Sequence, residues 1–301
     1  MDKGLMAILG FFSFWLGACI ASFLNVVVWR LPRGESIVSP PSHCPKCSAA
    51  IKWWQNVPIV SWLALRGKCA NCREPISPRY ILVELLGGVL FLAAFISVFG
   101  VMVDSFGESA FLGWANWARL SVLWVWISLM IVGSLIDFDH KLLPDFVTVG
   151  GMVLGVAAST VWTGVNFLYY SEVEYSAVDV VLRLYPLFKS ISGLAFGFGL
   201  LWLIRWIGSK AFKREAMGMG DVFLMGAVGA LFGPIAVVVT LIVSSIVGSV
   251  VGLTMIALSK TRLGNFAEIP YGPYICIGCL AWMFAGPELV EWYMNLFAVA
   301  T

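Results

Sequence analysis

The sequence predicts an all-α polytopic membrane protein of about eight transmembrane helices, carrying a small zinc-ribbon-like cytoplasmic domain. Three observations predict it. The 301 residues are 60% hydrophobic and only 12% charged, with a mean hydropathy of +0.91, whereas a globular domain is about half apolar and about a quarter charged. Apolar runs recur along the chain, and a run of about 20 residues suffices to cross a bilayer. The one long polar stretch, residues 31–79, holds two C-x2-C pairs. Nineteen basic and seventeen acidic residues leave a formal charge of +2. That composition excludes a soluble enzyme, a disordered tail and a nucleic-acid binder working by bulk positive charge.

The expected spans lie near 5–28, 81–103, 117–136, 146–166, 187–207, 220–235, 236–258 and 273–297. The first follows Asp2 and Lys3 and runs into Asn25 and Arg30 without a small-residue cleavage site. It is therefore expected to be a retained helix rather than a signal peptide. The stretch 220–258 is nearly continuously apolar and is divided by Gly233-Pro234, a pair that punctuates helices. This layout gives a first transmembrane helix over 1–30, a cytoplasmic four-cysteine domain over 31–79 and a transmembrane core over 80–301.

Loop charges alternate by sign. Arg30, Arg33, Lys46, Lys52, Arg66, Lys68, Arg73 and Arg79 follow the first span, against Glu35 and Glu74. Asp104 and Glu108 occupy the next loop, Lys141 follows the third span, and Glu172, Glu174 and Asp179 follow the fourth. Arg205, Lys210, Lys213 and Arg214 follow the fifth, Lys260 and Arg262 the seventh, and Glu288 and Glu291 lie at the far end of the last. The positive-inside rule puts the basic loops in the cytoplasm and both termini outside. Only Lys3, Arg119, Arg183 and Lys189 fall on the other side.

In the polar loop, Cys44 and Cys47 (CPKC) precede Cys69 and Cys72 (CANC), with twenty-one residues between the pairs. Each pair supplies one edge of a tetrahedral zinc site, and four protein ligands leave no position for water. Such an ion folds the loop and does not catalyse. The alternative is two disulfides or free thiols. A cytoplasmic loop argues against disulfides, and a segment this small has little core to hold it without metal. His43 beside Cys44 is a possible substitute ligand. Cys19, Cys276 and Cys279 lie within apolar spans, and the last two repeat the C-x2-C spacing but read as buried small apolar residues.

Most acids fall in loops, but two sites differ. The run IVGSLIDFDHKLLPD places Asp137, Asp139 and Asp145 at the cytoplasmic end of span three, and MGMGD places Asp221 at that of span six. An ionisable residue at such a boundary is a functional candidate. On a helix, residues 137 and 139 point about 200° apart, and Asp137 directly continues the apolar run. Gly218 and Gly220 permit backbone shapes closed to other residues and let another segment approach Asp221. Two carboxylates on separate helices at similar depth can share a proton. One then acts as base towards water while its protonated partner polarises a peptide carbonyl. The other reading is that these acids cap helices or are solvated at helix ends. Competing chemistries are poorly supplied: the chain has two His, no HExxH, no GxSxG and no Walker loop. Glu84, one turn into span two, is either a polar contact for substrate or donor, or a carboxylate paired with Arg79 or Arg73.

Taken together, ASFLNVVVWRLPRGES, the CPKC…CANC loop, SPRYILVELLGG, LIDFDHKLLPD, GMGD and IPYGPYICIG resemble the bacterial type IV prepilin peptidases. These are bifunctional leader peptidase/N-methyltransferases and intramembrane aspartyl proteases of the GxGD type, and the resemblance covers essentially the whole chain. It implies that Asp137, opening D-x5-L-P-D, and Asp221, closing GxGD, are the catalytic pair of a peptidase core over 80–301. It implies cleavage of the N-terminal leader of prepilins or pseudopilins after a Gly, at the cytoplasmic face of the bacterial inner membrane. The new N-terminal residue, usually Phe, is then N-methylated with S-adenosylmethionine as donor, in the service of pilus or secretion machinery. Family members often read GxGDxKL, whereas Val222, Phe223 and Leu224 follow Asp221 here, which puts substrate preference and rate in question. No glycine-rich nucleotide loop or Rossmann pattern marks a donor site.

Two other classes stand beside this one. A carboxylate-based proton or cation transporter with a zinc-bound regulatory loop predicts acids near the bilayer midplane and two related halves. A non-catalytic scaffold for pilus assembly predicts that the aspartates are dispensable.

Overall fold

A computed structural model of the chain describes residues 3–106, 113–169, 177–213, 215, 217–258 and 270–298. Among these, the helices are α1 Lys3–Arg30, α2 Val60–Ala64, α3 Arg79–Phe106, α4 Trp114–His140, α5 Asp145–Tyr169, α6 Ala177–Phe212, α7 Met219–Phe232, α8 Pro234–Leu258 and α9 Gly272–Ala298. No strand forms among the described residues. All but α2 and α7 are long and apolar enough to cross a membrane. The chain is thus an all-α polytopic membrane protein. The sixth expected span is a 14-residue apolar helix, α7, and its boundary with α8 falls at Gly233-Pro234 as the sequence predicts. Gly233 has φ +89, a value L side chains rarely adopt, and Pro234 opens the next helix where a missing N–H costs nothing. Of the charges in the alternation, Asp2, Glu108, Glu172, Glu174, Arg214, Lys260 and Arg262 lie outside the described residues, as do the side chains of Lys3, Asp104 and Asp179.

The chain divides into two compact units, Met1–Val132 and Gly133–Thr301. In the first, α1 runs along α3 with their backbones in contact. A Cβ on Gly17 would come within 2.4 Å of the Gly87 carbonyl oxygen, the close approach small residues allow where lipid supplies no hydrophobic drive between helices. Phe91 stacks on Trp124 with ring centroids 5.3 Å apart, and the Trp124 indole N–H donates to the Phe91 carbonyl at 3.2 Å. The buried Arg30 ends α1 by donating to the carbonyls of Ser36 (3.0 Å) and Pro40 (2.7 Å). It thereby fixes the direction in which the polar loop leaves the helix.

In the second unit α7 is packed among α5 and α6 and is buried along most of its length. A Cβ on Gly193 of α6 would lie 2.1 Å from the Gly229 carbonyl oxygen, and one on Gly229 would lie 2.0 Å from that of Gly193. Only glycine at both places lets the two helices touch. Because α7 is enclosed by protein, its apolar residues need not be confined to one face. The last helix, α9, breaks at Ala285 (φ −140, ψ 17), two residues before Pro287. That proline lacks an N–H and crowds the preceding turn, an ordinary cause of a kink.

Candidate active site and metal centre

The polar loop builds the same turn twice. In the first copy Cys44 N–H donates to the Ala49 carbonyl (3.0 Å) and Ser48 N–H to that of Cys44 (2.9 Å). In the second, Cys69 N–H donates to Glu74 (2.8 Å) and Arg73 N–H to Cys69 (3.1 Å). The residue after each pair is left-handed, Ser48 at φ 56 and Arg73 at φ 62. Bridges His43–Ala50 and Lys68–Pro75 close the two turns.

The four sulfurs of Cys44, Cys47, Cys69 and Cys72 all lie within 4.8 Å of one another, and none of the four is in a disulfide. A zinc–sulfur bond of about 2.3 Å in a tetrahedron separates sulfurs by about 3.8 Å, and Cys44 and Cys72 Sγ stand 3.8 Å apart. The donor set therefore fits zinc. The Ala49 N–H and the Asn71 amide hold the Cys47 thiol down to about 6, towards the thiolate form that ligates metal. His43 stands outside the group, its Nδ1 hydrogen-bonded to the Pro41 carbonyl at 3.2 Å. Cys19 is exposed on α1, and Cys276 and Cys279 are buried in α9.

Glu84 is buried in α3, and its Oε2 accepts the Ile59 N–H at 2.7 Å. Ile59 has φ 64 and ψ −55, and the Val60 N–H turns back to the Pro58 carbonyl at 2.5 Å. This is a γ-turn of the rare, strained hand, occupied by a β-branched residue that resists positive φ. Glu84 thus ties a strained corner of the polar loop to the adjoining helix. Neither the ligand role nor the ion pairing expected from the sequence names this partner.

Asp137 and Asp221 are both buried, at 6% and 7% exposure, while Asp139 and Asp145 are exposed. The separation around α4 expected for 137 and 139 is realised. Asp145 opens α5 as the acid of its first turn, where the macrodipole favours an anion. Asp137 lies in the last turn of α4, which ends as Lys141, at φ 55, returns its N–H to the Asp137 carbonyl at 2.8 Å.

Each buried carboxylate meets the start of a helix. Asp221 is the third residue of α7, and its carboxylate lies close to Gly218, the N-cap, where an added Cβ would stand 3.5 Å from Asp221 Oδ2. Asp137 Oδ2 accepts from the N–H of Gly272, the first residue of α9, at 3.0 Å. Helix N-termini present N–H groups that lack intrahelical partners, so Asp137 satisfies an orphan donor and Asp221 sits where such groups cluster. The two carboxylates are within electrostatic range of one another. Leu143 stands against both sites: a Cβ on Gly220 would be 2.7 Å from its Cβ, and one on Gly272 would be 3.3 Å from its Cδ1. Gly220 therefore permits the close approach expected beside Asp221. Gly218 has extended dihedrals, φ −65 and ψ 150, which other residues adopt as well. Phe223 tilts against the Phe198 ring at 5.7 Å. Gly272 was given no role from the sequence. Its only local signal is the Gly-Pro that opens the last apolar run.

The comparisons agree with these motifs. The description "Bacterial Peptidase A24 N-terminal domain" matches residues 15–98, and "Type IV leader peptidase family" matches residues 124–253. A prepilin leader peptidase/N-methyltransferase of Myxococcus xanthus is 35% identical over 285 residues, 93% of this chain and 74% of the relative. A type 4 prepilin-like proteins leader peptide-processing enzyme of Escherichia coli O78:H11 is 32% identical, covering 89% and 91%. A prepilin leader peptidase/N-methyltransferase of Stutzerimonas stutzeri is 31% identical, covering 93% and 92%. No solved structure matches the chain.

Proposed function

This chain belongs to the type IV leader peptidase family, and we propose that it cleaves the N-terminal leader of type IV prepilins or pseudopilins after a Gly, then N-methylates the new N-terminal residue, usually Phe, with S-adenosylmethionine as donor. It is an aspartic-type peptidase with methyltransferase activity. The observation that carries the cleavage reading is the buried pair Asp137 and Asp221, the first in the last turn of α4 with its carboxylate on the first residue of α9 and the second in the first turn of α7.

In this reading one proton is shared between the two acids. The ionised carboxylate takes a proton from water as its oxygen attacks the carbonyl carbon of the scissile peptide. The protonated partner donates to the carbonyl oxygen as charge develops there. When the tetrahedral intermediate collapses, the C–N bond breaks and a carboxyl proton passes to the leaving nitrogen. The Gly272 N–H keeps the Asp137 carboxylate oriented throughout, with no reorganisation of solvent required there. Both acids stand at helix ends, whereas a transport site would place them near the midplane.

The methyl donor supplies the carbon for the second reaction. The zinc held by Cys44, Cys47, Cys69 and Cys72 would supply folding free energy to residues 31–79 and no open coordination position. The segments follow the same reading: helix 1–30, zinc domain 31–79 and peptidase core 80–301. By the positive-inside rule the basic loops support a site at the cytoplasmic face of the inner membrane, where pilus or secretion machinery would receive the product.

The test is mass spectrometry of a candidate prepilin incubated with the purified protein, with and without S-adenosylmethionine. The expected result is loss of the leader in both cases and about one methyl mass added to the mature N-terminus only with donor. An uncut prepilin overturns the reading. A cut terminus that never gains the methyl reduces the protein to a peptidase.

A further inference from the structure

Residues 53–65, WWQNVPIVSWLAL, are an apolar stretch inside the polar loop. Several of their side chains are turned outward rather than gathered into a core. Trp53 is 78% exposed and Leu63 59%, and Trp54 and Val60 are half-exposed. Val60 and Leu63 stand three residues apart on α2, so they share one face. A contiguous apolar surface of this kind marks a contact with another protein or with a membrane.

The backbone favours the membrane. The Ile59 N–H is held by Glu84 Oε2 at 2.7 Å, and Glu84 lies five residues, about 7.5 Å, along α3 from Arg79. That position is inside a segment long and apolar enough to span. Asn56 and Pro58 line one cavity with Cys19, Ser22, Phe23 and Val26 of α1. The corner of the loop is therefore packed beside both helices, inward of the cations Arg30 and Arg79 at their ends. Lipid offers backbone groups no partner at such depth, and the protein supplies them. Val57 N–H donates to Ser61 Oγ (3.0 Å), Ser61 N–H to the Val57 carbonyl (3.0 Å) and Ser61 Oγ to the Trp54 carbonyl (2.9 Å). The Trp62 indole N–H donates to the Ile76 carbonyl at 3.3 Å.

Cations flank the stretch. Lys52 precedes it, with Nζ 5.1 Å from the Trp54 ring centre, and Arg66 follows it, both exposed. At the end of α1 the Arg33 guanidinium likewise lies 3.8 Å over the Trp29 ring. An aromatic ring beside a cation suits the headgroup layer, where the ring meets the acyl boundary and the charge meets phosphate.

We infer that residues 53–65 are seated in the headgroup–acyl boundary of the bilayer, with Trp53, Val60 and Leu63 in lipid and Lys52 and Arg66 on anionic headgroups. The depth set by Glu84 agrees with the about 5–10 Å to which interfacial segments sink. The four-cysteine loop then meets the membrane at a third place besides its two ends, and Glu84 is the side chain that holds it there.

The test puts the photo-cross-linking residue p-benzoylphenylalanine in place of Trp53 or Leu63 in the full chain, in nanodiscs of mixed phosphatidylcholine and phosphatidylglycerol. Val89, exposed on α3, is the lipid-facing reference position. Helix content by circular dichroism is required to match the parent in every chain compared. Phospholipid adducts counted by mass spectrometry at 53 and 63 should come within about threefold of those at 89. Adducts at 63 should be enriched in phosphatidylglycerol about fivefold over the bulk ratio, the scale a basic residue near an anionic surface gives. Lys52→Gln with Arg66→Gln should return that ratio to within about twofold of bulk. Yields below about a tenth of the reference at both positions, or adducts to protein in their place, overturn the inference. An enrichment unchanged in the double variant removes Lys52 and Arg66 from the contact.

Discussion

Gly272 donates its backbone N–H to Asp137 Oδ2 at 3.0 Å, joining residues 135 apart in the chain. The glycine is required sterically, because a Cβ at that position would lie 2.6 Å from the same oxygen. Gly272→Ala should therefore displace the carboxylate and lower prepilin cleavage by about 100-fold, the scale of a misplacement of about 1 Å. Helix content by circular dichroism should stay at the parent value. Cleavage within threefold of parent would show that the contact does not position the acid.

Removing either acid should have a larger effect. Asp137→Asn and Asp221→Asn are each expected to cut cleavage by about 10³-fold or more, since each takes away acid–base chemistry worth 10²–10⁴. Residues acting as a unit are not additive, so the double variant should be no slower than the worse single one. Co-purification of uncut prepilin with both single variants checks that binding survives. Full cleavage by both singles would remove the pair from the mechanism.

The metal centre predicts one zinc per chain by elemental analysis of protein purified without added metal. Cys44→Ser or Cys69→Ser should drop this to a small fraction. Stripping with chelator should make residues 43–76 sensitive to protease while the long helices persist, because the loop has little core beyond the metal. Stoichiometric zinc in both serine variants would overturn the four-sulfur assignment.

Glu84 and Ile59 make the fourth prediction. Glu84→Ala leaves the Ile59 N–H without its acceptor, a loss of about 1–3 kcal/mol for a buried donor. The strained turn then loses what holds it. Hydrogen exchange at residues 57–62 should quicken by one to two decades, while Glu84→Gln, which retains an acceptor oxygen, should show a smaller change. Identical exchange in parent and Glu84→Ala would mean the corner is held otherwise.

What the sequence made legible was set by range. The apolar runs, the cysteine spacing and the opposition of Asp137 to Asp139 are all encoded within a few residues, and the structure realises each of them. The break at Gly233-Pro234 was readable for the same reason. The partner of Asp137 was not, because a backbone N–H has no residue type to betray it and lies 135 positions away. Ile59 was hidden differently. Its φ of 64 runs against the preference of a β-branched side chain, so local propensity points away from the turn that forms.

The shortness of α7 bears on how a reaction that consumes water proceeds in a bilayer. Its 14 residues rise only about 21 Å at 1.5 Å each, against a hydrocarbon thickness of about 30 Å. Set upright in a bilayer, a helix of this length would leave one end inside the hydrocarbon. The end carrying Phe232 and Gly233 can do so at little cost, whereas the end carrying Asp221 cannot. With its Asp221 end at the aqueous phase, such a helix would leave the missing turns on the opposite side. In the proposed mechanism the water would then arrive from the surface, with no water-filled channel to the middle of the membrane.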